Sequence, residues 1–121
     1  MAPDTMIPSC PPAVRLKRRA EFLRIASKGR KAPAPGVVLQ ALARDDHGPV
    51  RLGFTVTKKV GNAVVRNRTK RRLRAAVHEV LKAAPVCGVD LVLIGRDGTR
   101  GRRFTLLVND VRQAMIKLGA L

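Results

Sequence analysis

Apolar residues recur with helical spacing in three parts of the chain. The first, Arg15–Ala26, is a short basic segment that ends before Gly29. The longest is Gly61–Ala84, where Asn62 stands at a capping position. Its second half carries one apolar stripe at positions i, i+4, i+7, i+8 and i+11, formed by Leu73, Val77, Val80, Leu81 and Ala84. A third pattern runs from about Leu107 to Leu118, so the sequence predicts three helices.

Two apolar runs between the first and second helices have the length and composition of strands. They are Val37–Ala43 and Val50–Thr57, separated by Asp45, Gly48 and Pro49. Turn-forming residues between two strand patterns favour an antiparallel hairpin, which we therefore predict here.

Other segments complete the predicted order of elements. Arg30–Gly36 contains Pro33 and Pro35, so it is expected to be extended without forming a central strand. Leu91–Ile94 is a continuous apolar run and predicts a buried strand, followed by a Gly- and Arg-rich loop over Gly95–Arg103. Helix, two or three strands, helix, strand, helix is the pattern of an α+β protein with helices packed on a small sheet.

The length of the chain allows one domain. It has 121 residues, of which we assign 14–121 to a single domain and 1–13 to a disordered, Pro-rich tail. Hydrophobic residues make up 45% of the chain, which is typical of a folded domain and excludes a disordered basic tail.

The net charge points to a polyanionic partner. Lys and Arg number 25 against 8 Asp and Glu, a formal charge of +17. Self-repulsion of this size opposes compaction, so the composition favours a small nucleic-acid-binding protein.

Several classes of protein are disfavoured. No apolar run approaches the roughly 20 residues that span a bilayer, and the N-terminus has no signal-peptide pattern, so we expect no membrane association. Cys10 and Cys87 lie far apart, which suggests neither a disulfide scaffold nor a zinc site and fits a cytoplasmic protein.

His78 beside Glu79 resembles an acid/base pair, but neighbouring helical residues point about 100° apart. No catalytic group is therefore assigned to the protein, and metal ligands are left unassigned.

The positive charge is concentrated in two segments. Nine basic residues and no acid lie between Arg51 and Arg74, and eight more surround Glu21 in Arg15–Lys31. A solvated helix face is the simple alternative, but such faces usually mix Glu with Lys. Here Arg68 and Arg72 are like charges at i,i+4, so phosphate binding is the favoured interpretation.

One ungapped segment is similar to a known family. It begins Gly53-Phe54-Thr55-Val56-Thr57-Lys58-Lys59-Val60-Gly61-Asn62-Ala63-Val64 and continues, after Val65, as Arg66-Asn67-Arg68-Thr69-Lys70-Arg71, with Arg74 three positions later. This resembles the signature of the bacterial ribonuclease P protein component. The resemblance extends over roughly Arg15–Lys117 and includes Arg96.

The resemblance implies both a fold and a function. The fold is an α+β two-layer sandwich, ordered helix, three strands, helix, strand, helix, with a left-handed βαβ crossover around the Arg-Asn-Arg helix. The function is that of a protein subunit of the endoribonuclease ribonuclease P, which removes the 5′ leader from precursor tRNA. Catalysis would then belong to a catalytic RNA and its Mg²⁺ ions, and the partners would be that RNA and precursor tRNA.

Site residues follow from the same resemblance. The residues expected to bind the catalytic RNA are Lys58, Lys59, Arg66, Asn67, Arg68, Lys70 and Arg71, assisted by the backbone at Gly61. Gly61 also has a purely structural explanation, since a glycine would allow the backbone conformation needed for the turn into the helix.

The leader of the precursor tRNA would lie in a cleft between the first helix and the sheet, lined by Phe22 and Arg74. Core packing explains Phe22 equally well. Two aromatic positions of the family pattern are replaced here by Ala26 and Gln40, so we expect leader binding to depend more on charge. The Pro residues also put the family's short first strand in doubt.

Two other functions remain open at this point. A ribosomal or other structural RNA-binding protein would share the size, charge and fold. A nucleoid DNA-binding protein is weaker, because no recognition helix with base-reading Asn or Gln emerges beyond Asn67.

Overall fold

Three helices pack on a five-stranded sheet in the computed structural model, which describes residues 11–44 and 46–120. The elements in chain order are β1 (Val14–Arg15), α1 (Arg19–Lys28), β2 (Arg30–Ala34), β3 (Val37–Ala43), β4 (Arg51–Val56), a 3₁₀ turn (Lys58–Val60), α2 (Ala63–Ala83), β5 (Val89–Gly95) and α3 (Phe104–Lys117). The predicted α+β class is confirmed. Most of the tail predicted to be disordered lies outside the described residues.

The strand order is β1-β4-β5-β3-β2, with β5 in the centre. β5 runs parallel to β4 and antiparallel to β3, and α2 connects the two parallel strands as the predicted crossover. The predicted hairpin of β3 and β4 is therefore wrong, because β5 lies between them. Six of the seven residues of β5 are buried, and a strand that is apolar on both faces is best covered at the centre of a sheet.

The main core fills the space between the sheet and the pair α2 and α3. Alternate residues of β3, β4 and β5 point into it, and the apolar stripe of α2 covers them. The predicted stripe is confirmed, since Leu73, Val77 and Val80 are buried and Leu81 packs at the margin. Buried Thr69 continues the stripe toward the N-terminus of the helix.

A smaller cluster lies on the opposite face of the sheet, under α1. Leu16, Ile25 and Val92 are buried there, and Phe22 packs against them. The Phe22 ring lies directly over Gly53, where an added Cβ would come within 2.5 Å of the ring. Gly53 therefore permits α1 to approach β4.

The N-terminal elements differ from the prediction in two respects. The first helix begins at Arg19 and not at Arg15, because Val14 and Arg15 pair in parallel with the start of β4. The Pro residues put the family's short first strand in doubt, but this strand is present as β2, which pairs with β3 along its length. Pro33 is tolerated there because β2 is an edge strand, where a missing N–H breaks no ladder.

The N-terminal ends of β4 and β5 are joined by an ion-pair network around Asp90. Asp90 is only 3% exposed, and its carboxylate accepts hydrogen bonds from Arg44 (2.5 Å) and from Arg51 (2.7 Å to each oxygen). Arg51 also donates to Glu21 of α1 at 2.5 Å. Burial opposes ionisation of Asp90, but the hydrogen bonds from Arg51 and Arg44 outweigh it and hold its pKa below the usual range.

Two further observations concern cysteine and membranes. Cys87 forms a disulfide bond, which the spacing of the two cysteines did not predict; Cys10 lies outside the described residues. Among residues 11–44 and 46–120, no helix is long and apolar enough to cross a bilayer.

The Asp90→Asn variant tests the network. The substitution breaks a buried ion pair and leaves Arg44 only Asp46 and Arg51 only Glu21 as acid partners, so we expect a loss of about 3 kcal/mol in the free energy of unfolding at pH 7. The lowered pKa means that the stabilisation is present above about pH 4, the unfolded value, and is lost as the pH falls through the folded pKa. Urea unfolding should therefore separate wild type and variant at pH 7 and bring them together in strong acid.

Asp97→Asn is the matched control, because Asp97 is exposed in the loop before α3. It should unfold like the wild type across the same pH range. Equal stabilities of Asp90→Asn and Asp97→Asn at pH 7 would contradict the role given to the network.

Candidate nucleic-acid interface

The interface begins at the turn into α2. Asn62 caps the helix, as predicted, by accepting a hydrogen bond from the Val65 N–H at 3.0 Å. Gly61 has φ +155°, and a Cβ at this position would meet the Val65 side chain at 2.9 Å. The structural explanation of Gly61 is thereby supported. The 3₁₀ turn just before it presents Lys58 and Lys59 to solvent.

The first half of α2 is held from beneath by its buried stripe. The Thr69 hydroxyl donates to the Val65 carbonyl at 2.9 Å, so this polar side chain is satisfied inside the core. Since helical residues are about 100° apart, the side opposite Thr69 and Leu73 carries Asn67, Arg68 and Arg71, all exposed. Arg66 and Lys70 are half-buried at the margin. The structure thus brings the predicted RNA-binding residues together on one surface, which we call the α2 surface: Lys58, Lys59, Arg66, Asn67, Arg68, Lys70 and Arg71.

The charge of the α2 surface is not balanced by acids. None of its cations forms an ion pair with a described residue, whereas Lys82 in the last turn pairs with Glu79 at 3.2 Å. The aspartates instead pair with arginines elsewhere: Asp90 with Arg44 and Arg51, and Asp110 with Arg102. A rigid helix with unpaired guanidinium and ammonium groups is suited to bind phosphates.

Arg74 and Phe22 do not line one cleft, contrary to the prediction. The Arg74 guanidinium lies 5.8 Å from the centroid of the Phe54 ring, and Phe54 belongs to the core beneath α2. Phe22 packs over Gly53 on the other face of the sheet. Because Gly53 and Phe54 are adjacent in one strand, their side-chain directions are opposite. Sequence proximity to the motif could not reveal this separation.

The α1 face of the sheet holds a cavity lined by both arginines and aspartates. It has a volume of about 520 Å³ and is lined by Arg24, Leu42, Ala43, Arg44, Asp46, Arg51 and Asp90. Arg24 is exposed and was not predicted as a site residue, although it belongs to the basic segment Arg15–Lys31. The charge of Arg44 is compensated within this cavity, because Arg44 pairs with Asp46 and with Asp90. The hydrogen bond to Asp46 and the pairing with Asp90 also raise the pKa of Arg44.

Phe22 is half-buried on this face, with Ala26 exposed one turn further along α1. Gln40 also lies on this face, because its neighbours Leu39 and Ala41 point into the main core. The α1 face therefore offers the ring of Phe22 and, at the cavity, the guanidinium of Arg24, which has no ion-pair partner among the described residues.

The described residues offer no group of three or more His, Cys, Asp or Glu side chains that could hold a metal ion. His78 and Glu79 are both exposed, and Glu79 is paired with Lys82. The described residues thus provide no ligand set for the magnesium that the resemblance implies.

Comparison with known proteins agrees with the geometry. A model of the Ribonuclease P family matches residues 10–119. The ribonuclease P protein component of Gluconacetobacter diazotrophicus is 69% identical over 107 residues, covering 88% of this chain and 92% of the relative. That of Paramagnetospirillum magneticum is 49% identical over 111 residues, covering 88% and 84%.

Solved structures show the same fold. The ribonuclease P protein of Thermotoga maritima aligns with a TM-score of 0.70 at 26% identity, covering 82% of this chain and 92% of that chain. A structure of the Staphylococcus aureus protein aligns with a TM-score of 0.70 at 28% identity, covering 88% and 90%. From the match along nearly its whole length, the fold and the basic α2 surface, we conclude that the chain belongs to the ribonuclease P protein family and is a subunit of an endoribonuclease holoenzyme.

Proposed function

We propose that this chain binds the catalytic RNA of ribonuclease P through the α2 surface and holds the 5′ leader of precursor tRNA on the α1 face. The observation that carries the proposal is the set of exposed cations on α2 that have no ion-pair partner among the described residues, on a helix whose other side is fixed in the core. Family membership supplies the identity of the RNA.

Electrostatics explains why this surface suits RNA. Each cation that meets a phosphate releases a condensed counterion, which supplies affinity independent of base sequence. Arginine adds bidentate hydrogen bonds and can stack on bases, so Arg68 and Arg71 can fix the orientation of the RNA as well as attract it. The buried stripe of α2 keeps these groups in place before binding, which reduces the entropy lost in the complex.

The leader would contact the opposite face of the sheet. Phe22 offers one ring for stacking, and Arg24 at the cavity offers charge. With Ala26 and Gln40 at the other two positions, most of the affinity for the leader would be electrostatic and weakly dependent on base identity. A protein with RNA on one face and leader on the other can align the substrate with the catalytic RNA.

The hydrolysis itself would belong to the RNA. Mg²⁺ bound by the catalytic RNA would supply the activated water and would stabilise the leaving oxygen. The protein would contribute positive charge and substrate alignment, which lowers the Mg²⁺ concentration needed to fold and load the RNA. We place this activity in the cytoplasm, as expected for tRNA processing in a bacterium.

Reconstitution with the cognate catalytic RNA tests the proposed function. The full-length protein should restore cleavage of precursor tRNA at low millimolar Mg²⁺, where the RNA alone is slow, because its cations replace part of the ionic requirement. The measurement is the single-turnover cleavage rate across a Mg²⁺ series. Rates that are the same with and without protein at every Mg²⁺ concentration would contradict the proposal.

The Arg68→Ala variant tests the α2 surface. Loss of one phosphate contact should weaken binding of the catalytic RNA and reduce the slope of log K against log salt by about 0.7–0.9. Filter binding over a KCl series measures both quantities. Lys82→Ala is the control on the same helix, because Lys82 pairs with Glu79 away from the surface, and its slope should equal that of the wild type. An unchanged slope for Arg68→Ala would exclude direct phosphate contact.

The Phe22→Ala variant tests the α1 face. Loss of a stacked base should raise the KM for precursor tRNA with a long leader by about 5-fold or more, while the affinity for the catalytic RNA stays constant. Phe22→Leu keeps most of the packing over Gly53 without the ring, so it should raise KM as well. If Phe22→Leu has the wild-type KM and only Phe22→Ala fails, through a lowered unfolding temperature, the ring serves the core and not the leader.

A further inference from the structure

We propose that the groove between α2 and the start of α3 binds one unpaired nucleotide of the catalytic RNA. The base would stack on the ring of Phe104, and Arg71 and Arg72 would hold the phosphates. This inference rests on the proposed function and adds to it a specific contact at the edge of the α2 surface.

The groove is shallow, has a volume of about 400 Å³ and combines an aromatic ring with cations. Its lining is Arg68, Arg71, Arg72, Ala75 and Phe104. Phe104 is half-buried and packs with one side against the main core. Ala75 is small enough to leave the ring accessible between the helices. An aromatic ring flanked by guanidinium groups is the arrangement that binds single nucleotides in RNA-binding proteins.

Arg72 gives the groove its second cationic wall. It stands one turn after Arg68, and the like charges at i,i+4 cost stability to the free helix. It is not one of the residues that define the family signature, so the signature does not explain it. Arg72 Nη2 donates to the carbonyl of Arg102, which directs the side chain toward α3, and Arg72 lines the groove. Its Nε is buried without a hydrogen-bond partner among the described residues, so the Nη1 amino group is the one left to meet a phosphate.

The loop that receives Arg72 is fixed by buried polar contacts. Thr99 is fully buried, accepts from the Arg96 N–H at 2.7 Å and donates to the Gly36 carbonyl at 2.6 Å. Arg102 donates to both oxygens of Asp110, at 2.8 and 3.1 Å, and Asp110 also accepts from the Gly36 N–H at 3.0 Å. The groove wall is thus rigid before the RNA arrives.

The start of α3 adds a donor site at the same place. Phe104 is the first residue of this 14-residue helix, and Arg103 at the cap offers no side-chain acceptor to the amides that follow. The first turn contains no acid. Exposed amide N–H groups and the positive end of the helix dipole favour a phosphate here, next to the ring on which the base would stack.

The position of the groove indicates which of the two RNAs would occupy it. Arg68 and Arg71 belong to both the groove and the α2 surface, so a nucleotide in the groove is continuous with the RNA bound there. The leader, which we place near Phe22, lies on the other side of the sheet. The occupant is therefore assigned to the catalytic RNA and not to precursor tRNA.

Four full-length variants test the assignment by titration of the catalytic RNA over a KCl series. Phe104→Leu keeps the apolar packing and should weaken binding at least about 5-fold with an unchanged salt slope, because stacking is not ionic. Phe104→Tyr retains the ring and should bind like the wild type. Arg72→Gln should weaken binding and lower the slope by about 0.7, the value for a single-stranded phosphate. Lys117→Gln is the charge control, about 20 Å away at the other end of α3.

The outcomes separate this proposal from the proposed function. Wild-type affinity in both Phe104→Leu and Arg72→Gln, with Arg68→Ala still impaired, would overturn the groove and leave the α2 surface intact. Loss in Phe104→Leu without rescue by Phe104→Tyr would assign the ring to the core and overturn the stacking. An effect confined to the KM for precursor tRNA would overturn the assignment to the catalytic RNA. Failure of the wild type to bind the catalytic RNA would overturn both proposals.

Discussion

The pairing of buried Asp90 with Arg44 and Arg51 is the interaction on which the arrangement of the sheet depends. Asp90 stands on the central strand, where an unpaired carboxylate would be strongly destabilising. The two arginines reach it from the end of β3 and the start of β4, and Arg51 extends the network to Glu21 of α1. One carboxylate thus holds three strands and a helix in register at one end of the sheet.

The same use of acids leaves α2 positively charged. With 8 acids for 25 basic residues, carboxylates that fix the interior cannot also neutralise the surface. Asp110 shows the pattern again, since it secures Arg102 and the loop before α3. Arg44, Arg51 and Arg102 are structural arginines paired with aspartates, whereas the arginines on α2 have no acid partner among the described residues. The α2 arginines are available to phosphates because no acid of the described residues pairs with them.

Local features of the fold could be predicted from the sequence, and long-range ones could not. β3 has the predicted bounds, and Asn62 caps α2 as expected, because periodicity and capping depend on neighbouring residues. The turn after β3 does reverse the chain. The predicted hairpin was nevertheless wrong, because β5 lies between β3 and β4 and no residue near the turn indicates this. The prediction that Phe22 and Arg74 line one cleft was wrong for a similar reason, because the face of the sheet on which each side chain lies is set by long-range packing. The Phe104 groove depends on two helices distant in sequence.

NMR of the arginine side chains during titration with the catalytic RNA most directly tests whether the α2 arginines bind RNA while the aspartate-paired arginines do not. The Nε–Hε resonances of Arg68 and Arg71 should shift and broaden as RNA is added, because their guanidinium groups meet phosphates. Those of Arg44, Arg51 and Arg102 should keep their positions, because their aspartate partners remain in place. Large shifts in these three, with Arg68 and Arg71 unchanged, would contradict the account.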